Sequence, residues 1–353
     1  MKVAIDLTPL HGRRWTGVER YAIDLYKALL KLGYEVTPIF HEKNDIDDNA
    51  KAYIIEKKNR IILENLSLSR AVRKIKADIT LFPIFPPPID LYLIRPGKIV
   101  PVIHDTAFIS FPETLKFAAK YYLIPKYKLA LKQSDFIVSI SETAKNQLSQ
   151  YSKVPIVNWG ENISDEFRPE KNHPNVNLLE EFQLQPNQYY ISVSTIEPRK
   201  NLKYLLKTIK PELVKSGKKL VLVGRKGWGN DQELKSLIEE MGNLILFTEY
   251  VSTDTLKSLY HFASAFALLS LDEGFGRTPL EAIACGCKKI IVSDIDIFHE
   301  TLGESSNYIP LGNEQAATGM FLTHNWIEVK DGFELPFDAM EKKINMLNYE
   351  PKL

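Results

Sequence analysis

The stretch Glu273-Gly-Phe-Gly-Arg-Thr-Pro-Leu-Glu281-Ala-Ile-Ala-Cys-Gly-Cys287 sets two carboxylates eight residues apart around a glycine-rich turn that opens a helix. It follows the apolar run Ala265-Phe-Ala-Leu-Leu-Ser-Leu271, which predicts a strand with Glu273 at its carboxyl end. Thr278 reads as the N-cap and Pro279 as the first helical residue, where a fixed φ and a missing N–H cost nothing. Gly274 and Gly276 leave backbone N–H groups uncovered beside a helix N-terminus, whose partial positive charge favours a phosphate. Such a turn can hold a nucleotide diphosphate while carboxylates accept hydrogen bonds from sugar hydroxyls. Thr278-x-x-Glu281 also has the spacing of a capping box, in which the glutamate bonds the N-cap N–H and no ligand. Spacing alone leaves both readings of Glu281 open.

Working outward, strand and helix signals alternate along the whole chain, which predicts an α/β fold with parallel sheets covered on both faces. In the first series the strands are expected at Lys2–Leu7, Glu35–Phe40, Ile79–Pro83, Lys98–Ile103 and Phe136–Ile140. In the second they are expected at Tyr189–Ser194, Lys219–Val223, Leu244–Phe247, Ala265–Leu271 and Lys288–Ser293. Residues 158–188 between the two series are polar and irregular. Two Rossmann-like domains with a cleft between them is the economical architecture, since 353 residues exceed what one hydrophobic core of about 250–300 residues supports. The expected boundaries are 1–165, 166–335 and a helical tail at 336–353 that crosses back to the first domain.

Composition narrows the class. A hydrophobic content of 44% with 25% charged residues is that of an ordinary soluble globular chain. No apolar run is long enough to span a bilayer, and Met1-Lys-Val-Ala-Ile-Asp6 is not a signal peptide. The two cysteines, Cys285 and Cys287, can neither staple a fold nor complete a metal site, and they fit a reducing cytoplasm. Residues 1–160 carry 24 Lys+Arg against 16 Asp+Glu, a net of +8, whereas the remainder carries 21 against 28, a net of −7. The basic half can face an anionic lipid surface or an anionic acceptor, or it can be plain solvated surface. Nothing suggests nucleic acid. The absence of G-x-x-x-x-G-K-[ST], of G-x-G-x-x-G after the first strand and of G-x-S-x-G disfavours P-loop nucleotidases, nicotinamide enzymes and serine hydrolases.

The loops after the strands gather the remaining candidates. Gly17 opens the first helix after a loop that holds Arg13 and Arg14, which can meet an anionic ligand. His104 and Asp105 follow the strand at Lys98–Ile103. A histidine there can bond a sugar hydroxyl or simply satisfy a backbone carbonyl, and Asp105 can cap the next turn. Arg199 and Lys200 sit just before a helix, placed to neutralise a diphosphate.

These segments together resemble the family 4 retaining glycosyltransferases of the GT-B fold, of the bacterial polysaccharide mannosyltransferase type. The matching stretches occur in the family's order: Thr16-Gly-Val-Glu-Arg-Tyr21, Ile103-His-Asp105, Ile137-Val-Ser-Ile-Ser-Glu142 and Glu197-Pro-Arg-Lys-Asn201. They continue with Glu249-Tyr-Val251, Leu256-x-x-Leu-Tyr260 and Glu273-Gly-Phe-Gly-x-x-Pro-Leu-Glu281. The resemblance implies a nucleotide-diphosphate sugar as donor, favouring GDP and a mannose-type hexose, and a glycan acceptor, lipid-linked, in cell-surface polysaccharide synthesis. It implies no metal or other cofactor.

It also implies roles. Glu273 holds donor-sugar hydroxyls and Glu281 the ribose. The backbone around Gly274, Phe275, Gly276 and Arg277, with Leu280 behind it, meets sugar and phosphates. Lys200 and Arg199 bind the diphosphate, and backbone at Val251 reads the base. His104 touches the sugar near its reacting centre, while Gly17 gives the phosphate room. Arg13, Arg14 and Asp105 are left to the acceptor.

The chain departs from the family pattern at Ser194 and Thr195, where an arginine is frequent. It departs again at Cys287-Lys-Lys289 after Gly286, and at Glu249, where glycine is common. The lysine-rich segment 114–132 can lie on an anionic membrane surface from the cytoplasmic side, or turn its apolar positions to the core. A nucleotide-sugar epimerase and a silent sugar-nucleotide-binding scaffold are the competing readings.

Overall fold

A computed structural model describes residues 1–10, 16–41, 52–56, 62–110, 117–225 and 231–345. The chain divides into two compact units, Met1–Asn162 with Asp338–Leu353, and Ile163–Phe337.

In the first unit, β1 (Lys2–Asp6), β2 (Glu35–Phe40), β3 (Tyr53–Ile54), β4 (Ile79–Phe82) and β5 (Lys98–Pro101) form a sheet in the order β3-β2-β1-β4-β5. Every pairing in it is parallel. Val3, Ala4 and Ile5 are all buried, the mark of a central parallel strand covered on both faces. A bridge from Val102 to Val138 carries the sheet on to the parallel pair β6 (Ile137–Ser139) and β7 (Ile156–Asn158). Helix Gly17–Lys31 buries Tyr21, Ala22, Leu25, Tyr26, Ala28 and Leu29 at helical spacing, and Gly33 follows it at φ +79°. Helix Ala339–Asn345 belongs to this unit. Asn162 Oδ1 accepts from the Met340 N–H at 2.9 Å, and its amide donates to Glu341 at 2.8 Å.

In the second unit, β8 (Tyr189–Val193), β9 (Lys219–Val223), β10 (Ile245–Glu249), β11 (Ala265–Leu268), β12 (Ile290–Ser293) and β13 (Asn307–Ile309) form an all-parallel sheet. Its order is β10-β9-β8-β11-β12-β13. Helices Leu202–Ser216 and Glu314–Thr323 cover one face and bury Leu206, Ile209, Leu213 and Phe321 against Tyr190 and Leu220.

Each sheet starts at its centre, winds outward on one side and then restarts on the other. Loops leaving β1 and β4, and loops leaving β8 and β11, therefore diverge and open a crevice at the carboxyl ends of these strands. At the second crevice, Gly224 ends β9 at φ +141°, and a Cβ there would lie 2.1 Å from the Ser194 carbonyl oxygen. Only glycine lets these two strand ends close.

Sequence and structure differ where elements are short. β3, β7 and β13 span two or three residues, too few to show a period. The polar stretch 158–188 contains 3₁₀ turns at Asp165–Phe167, Pro169–Lys171 and Val176–Phe182, with Phe167 and Leu179 buried. Helix Phe117–Gln133 buries Ala130 and Leu131 and exposes Lys120, Tyr121, Lys128 and Lys132, so its apolar positions are divided between the core and the surface. Lys126 is buried and donates to the Tyr122 hydroxyl at 2.7 Å. Residues 114–116 lie outside the described residues. No described helix is long and apolar enough to cross a membrane.

The crowding at Gly224 can be separated from its dihedral strain. Gly217 also has a positive φ, +72°, but no atom lies within 4 Å of its would-be Cβ. Gly217→Ala is expected to cost about 1 kcal/mol and Gly224→Ala about 2–3 kcal/mol in denaturant unfolding. Equal losses would show that the Ser194 carbonyl does not crowd this position.

Candidate functional site

The crevice between β8 and β11 is filled by charge. After β8 the chain runs through Ser194–Glu197 into a 3₁₀ turn, Pro198–Lys200, which Asn201 ends at φ +52°. Proline at the head of that turn sets its φ, and the turn points two consecutive cations back over the sheet edge. After β11 the chain passes Leu269–Phe275, and Gly276 at φ +83° swings it into helix Arg277–Ala284. A Cβ on Gly276 would lie 2.8 Å from the Phe298 ring, so this glycine is required on two grounds.

Glu273 ties the two loops together. Its Oε1 lies 2.6 Å from Lys200 Nζ and accepts from Ser270 Oγ at 2.7 Å, while its Oε2 lies 3.3 Å from Arg199 Nη1. Arg199 also donates to the Asp272 carbonyl at 2.8 Å and to Glu197 at 3.1 Å, and the Leu271 N–H donates to the Arg199 carbonyl at 2.8 Å. Burial alone would push the Glu273 carboxyl up. The charges of Lys200 and Arg199, with hydrogen bonds from Lys200 and Ser270, outweigh it and hold the group below its ordinary value. Glu273 is an anion fixed between two cations.

Behind it stands a pair of serines that sequence reading did not single out. Ser293 Oγ, at the end of β12, donates to the Ser270 carbonyl at 2.6 Å, and both serines are fully buried. The usable signal was a hydroxyl at the carboxyl end of an apolar strand, where a strand residue faces the crevice.

The second carboxylate is placed differently from the capping-box reading. Gly276, not Thr278, is the N-cap, and Thr278 and Pro279 are the second and third helical residues. The box spacing therefore does not fall on the helix start. Pro279 still fits, because N–H groups of a first turn have no intrahelical partner. Glu281 is buried, its Oε1 3.7 Å from Arg277 Nε, and Arg277 Nη2 donates to Ser164 Oγ at 2.9 Å. Phe275 and Leu280 are buried at the same turn. Val251 lies past the end of β10, two strands from β8. Glu249, at a position where the resemblance makes glycine common, holds φ +56° at a register shift in β10, a conformation that favours glycine. Burial raises both cysteine thiols, Cys287 to about 12, so neither is available as a thiolate.

In the first unit, His104 Nε2 lies 2.7 Å from the Pro83 carbonyl oxygen, just past the end of β4. A carbonyl only accepts, so Nε2 carries the hydrogen and Nδ1 is the basic nitrogen of the neutral ring. The Tyr21 ring meets the imidazole edge-on at 4.8 Å between centroids. Asp105 Oδ1 accepts from the Ala107 N–H at 3.0 Å and so caps the turn after it. Gly17 is the first residue of its helix, and among the described residues no atom lies within 4 Å of a would-be Cβ there. Arg13 and Arg14 lie outside the described residues. Among the described residues no group of three or more His, Cys, Asp and Glu side chains is arranged to hold a metal ion.

Two parallel-sheet units, each with a crevice at its topological switch point, one of them armed with a buried anion between two cations, define the GT-B glycosyltransferase architecture. The family profile "Glycosyltransferase Family 4" matches residues 15–157, and "Glycosyl transferases group 1" matches residues 180–317. The chain belongs to this glycosyltransferase family. It is 27% identical over 219 residues to the O-antigen chain mannosyltransferase RfbU of Salmonella typhimurium. That alignment takes in 61% of this chain and 57% of the relative. It is 27% identical over 218 residues to the O-antigen chain mannosyltransferase B of Escherichia coli, covering 60% of this chain and 57% of the other. The chain thus spans little more than half the length of these relatives.

Among solved structures, it superposes on Anabaena HepE in complex with UDP and glucose at a TM-score of 0.66, with 14% identity, covering 92% of this chain and 89% of that one. It also superposes on WaaG, a glycosyltransferase involved in lipopolysaccharide biosynthesis, at 0.66, with 13% identity and 97% and 99% coverage. At such identities these structures speak for the fold.

A folded-state carboxyl held low adds stability above its unfolded value, and that stability is lost as the pH falls through the depressed one. The wild-type protein should therefore weaken on acidification below about pH 5. Glu273→Gln should be less stable at neutral pH and show a flatter acid slope, measured by thermal unfolding across pH. Ser270→Ala, which removes one bond to the carboxylate, should cost about 2 kcal/mol. A Glu273→Gln slope matching the wild type would mean that the triad contributes nothing to acid sensitivity.

Proposed function

We propose that the protein transfers a hexose, mannose-type, from a GDP-linked donor to a lipid-linked glycan acceptor in cell-surface polysaccharide synthesis, with retention at the anomeric carbon and without a metal. The observation that carries the reading is the Lys200–Glu273–Arg199 triad at the crevice of the second unit. The mannosyl donor is supported by the two O-antigen mannosyltransferases the chain resembles, and the nucleotide-diphosphate sugar by the UDP and glucose in the HepE structure.

The triad suits that chemistry. Lys200 and Arg199 are held in place by Glu273 before any ligand arrives, so their charge needs no reorganisation. An incoming diphosphate competes for the two cations, and the carboxylate released from them accepts hydrogen bonds from the sugar hydroxyls. When the bond between the anomeric carbon and the phosphate oxygen breaks, the same cations balance the charge that builds on the leaving group. The leaving phosphate takes the proton of the acceptor hydroxyl as the new bond forms on the same face. Glu281 receives the ribose hydroxyls, with Arg277 beside it, and Val251 reads the base. His104, with its ring fixed by Pro83 and Tyr21, acts at the sugar, while Asp105, Arg13 and Arg14 serve the acceptor. The working location is the cytoplasmic face of a membrane, with the 114–132 segment as part of the contact.

Thermal-shift titration with GDP, UDP and ADP, and then with GDP-mannose and UDP-hexoses, tests the donor. Saturation at about 100 times Kd stabilises the folded state by about 2.7 kcal/mol, and the shift should be specific to GDP. Lys200→Ala should abolish it, and His104→Ala should lower turnover while leaving it intact. A shift specific to UDP would replace the donor, and no shift with any nucleotide would remove the transferase reading.

A further inference from the structure

Among the described residues six that are not glycine hold a positive φ, and five of them do so where that is ordinary. Lys76, Gln183, Asn201 and His324 end helices or 3₁₀ turns, and Asn187 sits in a turn, where asparagine is tolerated. Glu249 is the sixth, and it closes a strand. At φ +56° it is the last residue of β10, where the register with β9 slips between Phe247 and Glu249. A glycine would take this conformation without the steric cost that a Cβ brings. Strain of this kind persists where the surrounding structure fixes it, and it gathers at ligand-binding positions.

The surroundings of Glu249 do fix it. Its carbonyl accepts from the Gly224 N–H at 3.0 Å and from Thr248 Oγ1 at 3.4 Å, and the Ser194 N–H donates to the Val223 carbonyl at 3.1 Å. The exits of β8, β9 and β10 are thereby stitched side by side. Glu249 is exposed there, two residues before Val251, whose backbone the proposed function gives to the base. Two strand spacings, about 10 Å, separate it from β8, whose exit loop carries Lys200. A nucleoside covers such a span between its diphosphate and its base.

A carboxylate at that place selects among bases. It accepts at two oxygens and donates nothing. Guanine alone of the common bases sets two N–H donors side by side on its pairing edge, one on the ring and one on the exocyclic amine. One carboxylate can take both in a bidentate bond. Adenine presents a ring acceptor beside its amine, and uracil flanks its one ring N–H with carbonyls, so each sets a lone pair against the carboxylate.

We infer that the Glu249 side chain binds the ring N–H and the exocyclic amine of guanine and so sets the base preference for the donor. The inference rests on the nucleotide-sugar reading and gives its GDP preference a residue. A glycine at this position would be freer in conformation but could not make the choice.

Calorimetric titration of the full chain with GDP, UDP and inosine diphosphate, which lacks the exocyclic amine of guanine, tests it. The wild type should bind GDP at least about tenfold more tightly than either of the others. Glu249→Gly should bring GDP and inosine diphosphate within about threefold of each other, because the bond to the amine is gone. It should also raise the melting temperature by about 2–4 °C as the strain is relieved. Glu249→Gln, which turns one acceptor into a donor, should lose the same preference while keeping the backbone as it is. A Glu249→Gly protein that still prefers GDP over inosine diphosphate tenfold would overturn the inference and leave the transferase reading in place, as would a wild type that prefers UDP. A lower melting temperature for Glu249→Gly would assign the carboxylate to the fold and overturn the inference too. A wild type that binds none of the three would remove the nucleotide-sugar reading itself, and the inference with it.

Discussion

A buried carboxylate cannot remain ionised unless something compensates for the lost water, and at Glu273 that requirement organises the second unit's crevice. Lys200 and Arg199 supply the charge, Ser270 supplies a hydrogen bond, and the Asp272 carbonyl and Glu197 anchor the guanidinium in turn. Removing one of the two half-buried cations leaves the buried carboxylate partly uncompensated, a loss of at most about 3–5 kcal/mol. The loops after β8 and β11, which sheet topology sends in opposite directions, are thus held to a common centre by electrostatics.

The same arrangement is not the most stable way to join two loops. Hydrophobic side chains of equal volume would hold two loops together at least as well as a buried ion triad. A triad instead holds its charged groups at fixed positions. The serines support this by acting on the carboxylate and on the backbone of its loop, so that Ser293 fixes Ser270 and Ser270 fixes one oxygen of Glu273. The other oxygen faces Arg199 alone among these groups.

The sequence shows the frame of this design more readily than its joinery. β2 and β9 fall where alternation and apolar runs put them, and the glycines at 274 and 276 mark the turn because few other residues tolerate the φ that Gly276 adopts. Pairing between Lys200 and Glu273 spans 73 residues, and no local pattern encodes it. It follows only once the strand order places β8 beside β11. Thr278 shows the opposite failure, because a local pattern of the right spacing is displaced by a glycine two positions earlier that starts the helix by its own geometry. The box does form at the first helix, where the Glu19 carboxylate accepts from the Thr16 N–H at 2.8 Å. His104 needed the fold as well. Its partner carbonyl at Pro83 lies on the neighbouring strand's exit, 21 residues earlier.

The division of the chain bears on the order in which the molecule is made. Residues 163–337 form one uninterrupted unit, whereas the first unit takes in residues on both sides of it. Met340 and Ile344 are buried in that first unit, and Asn162 holds two bonds to the same helix. On a ribosome, the half that emerges first must therefore wait, with a gap in its core and Asn162 unsatisfied, until the whole of the other half has been translated. Synthesis starts with the first unit and folding finishes with it.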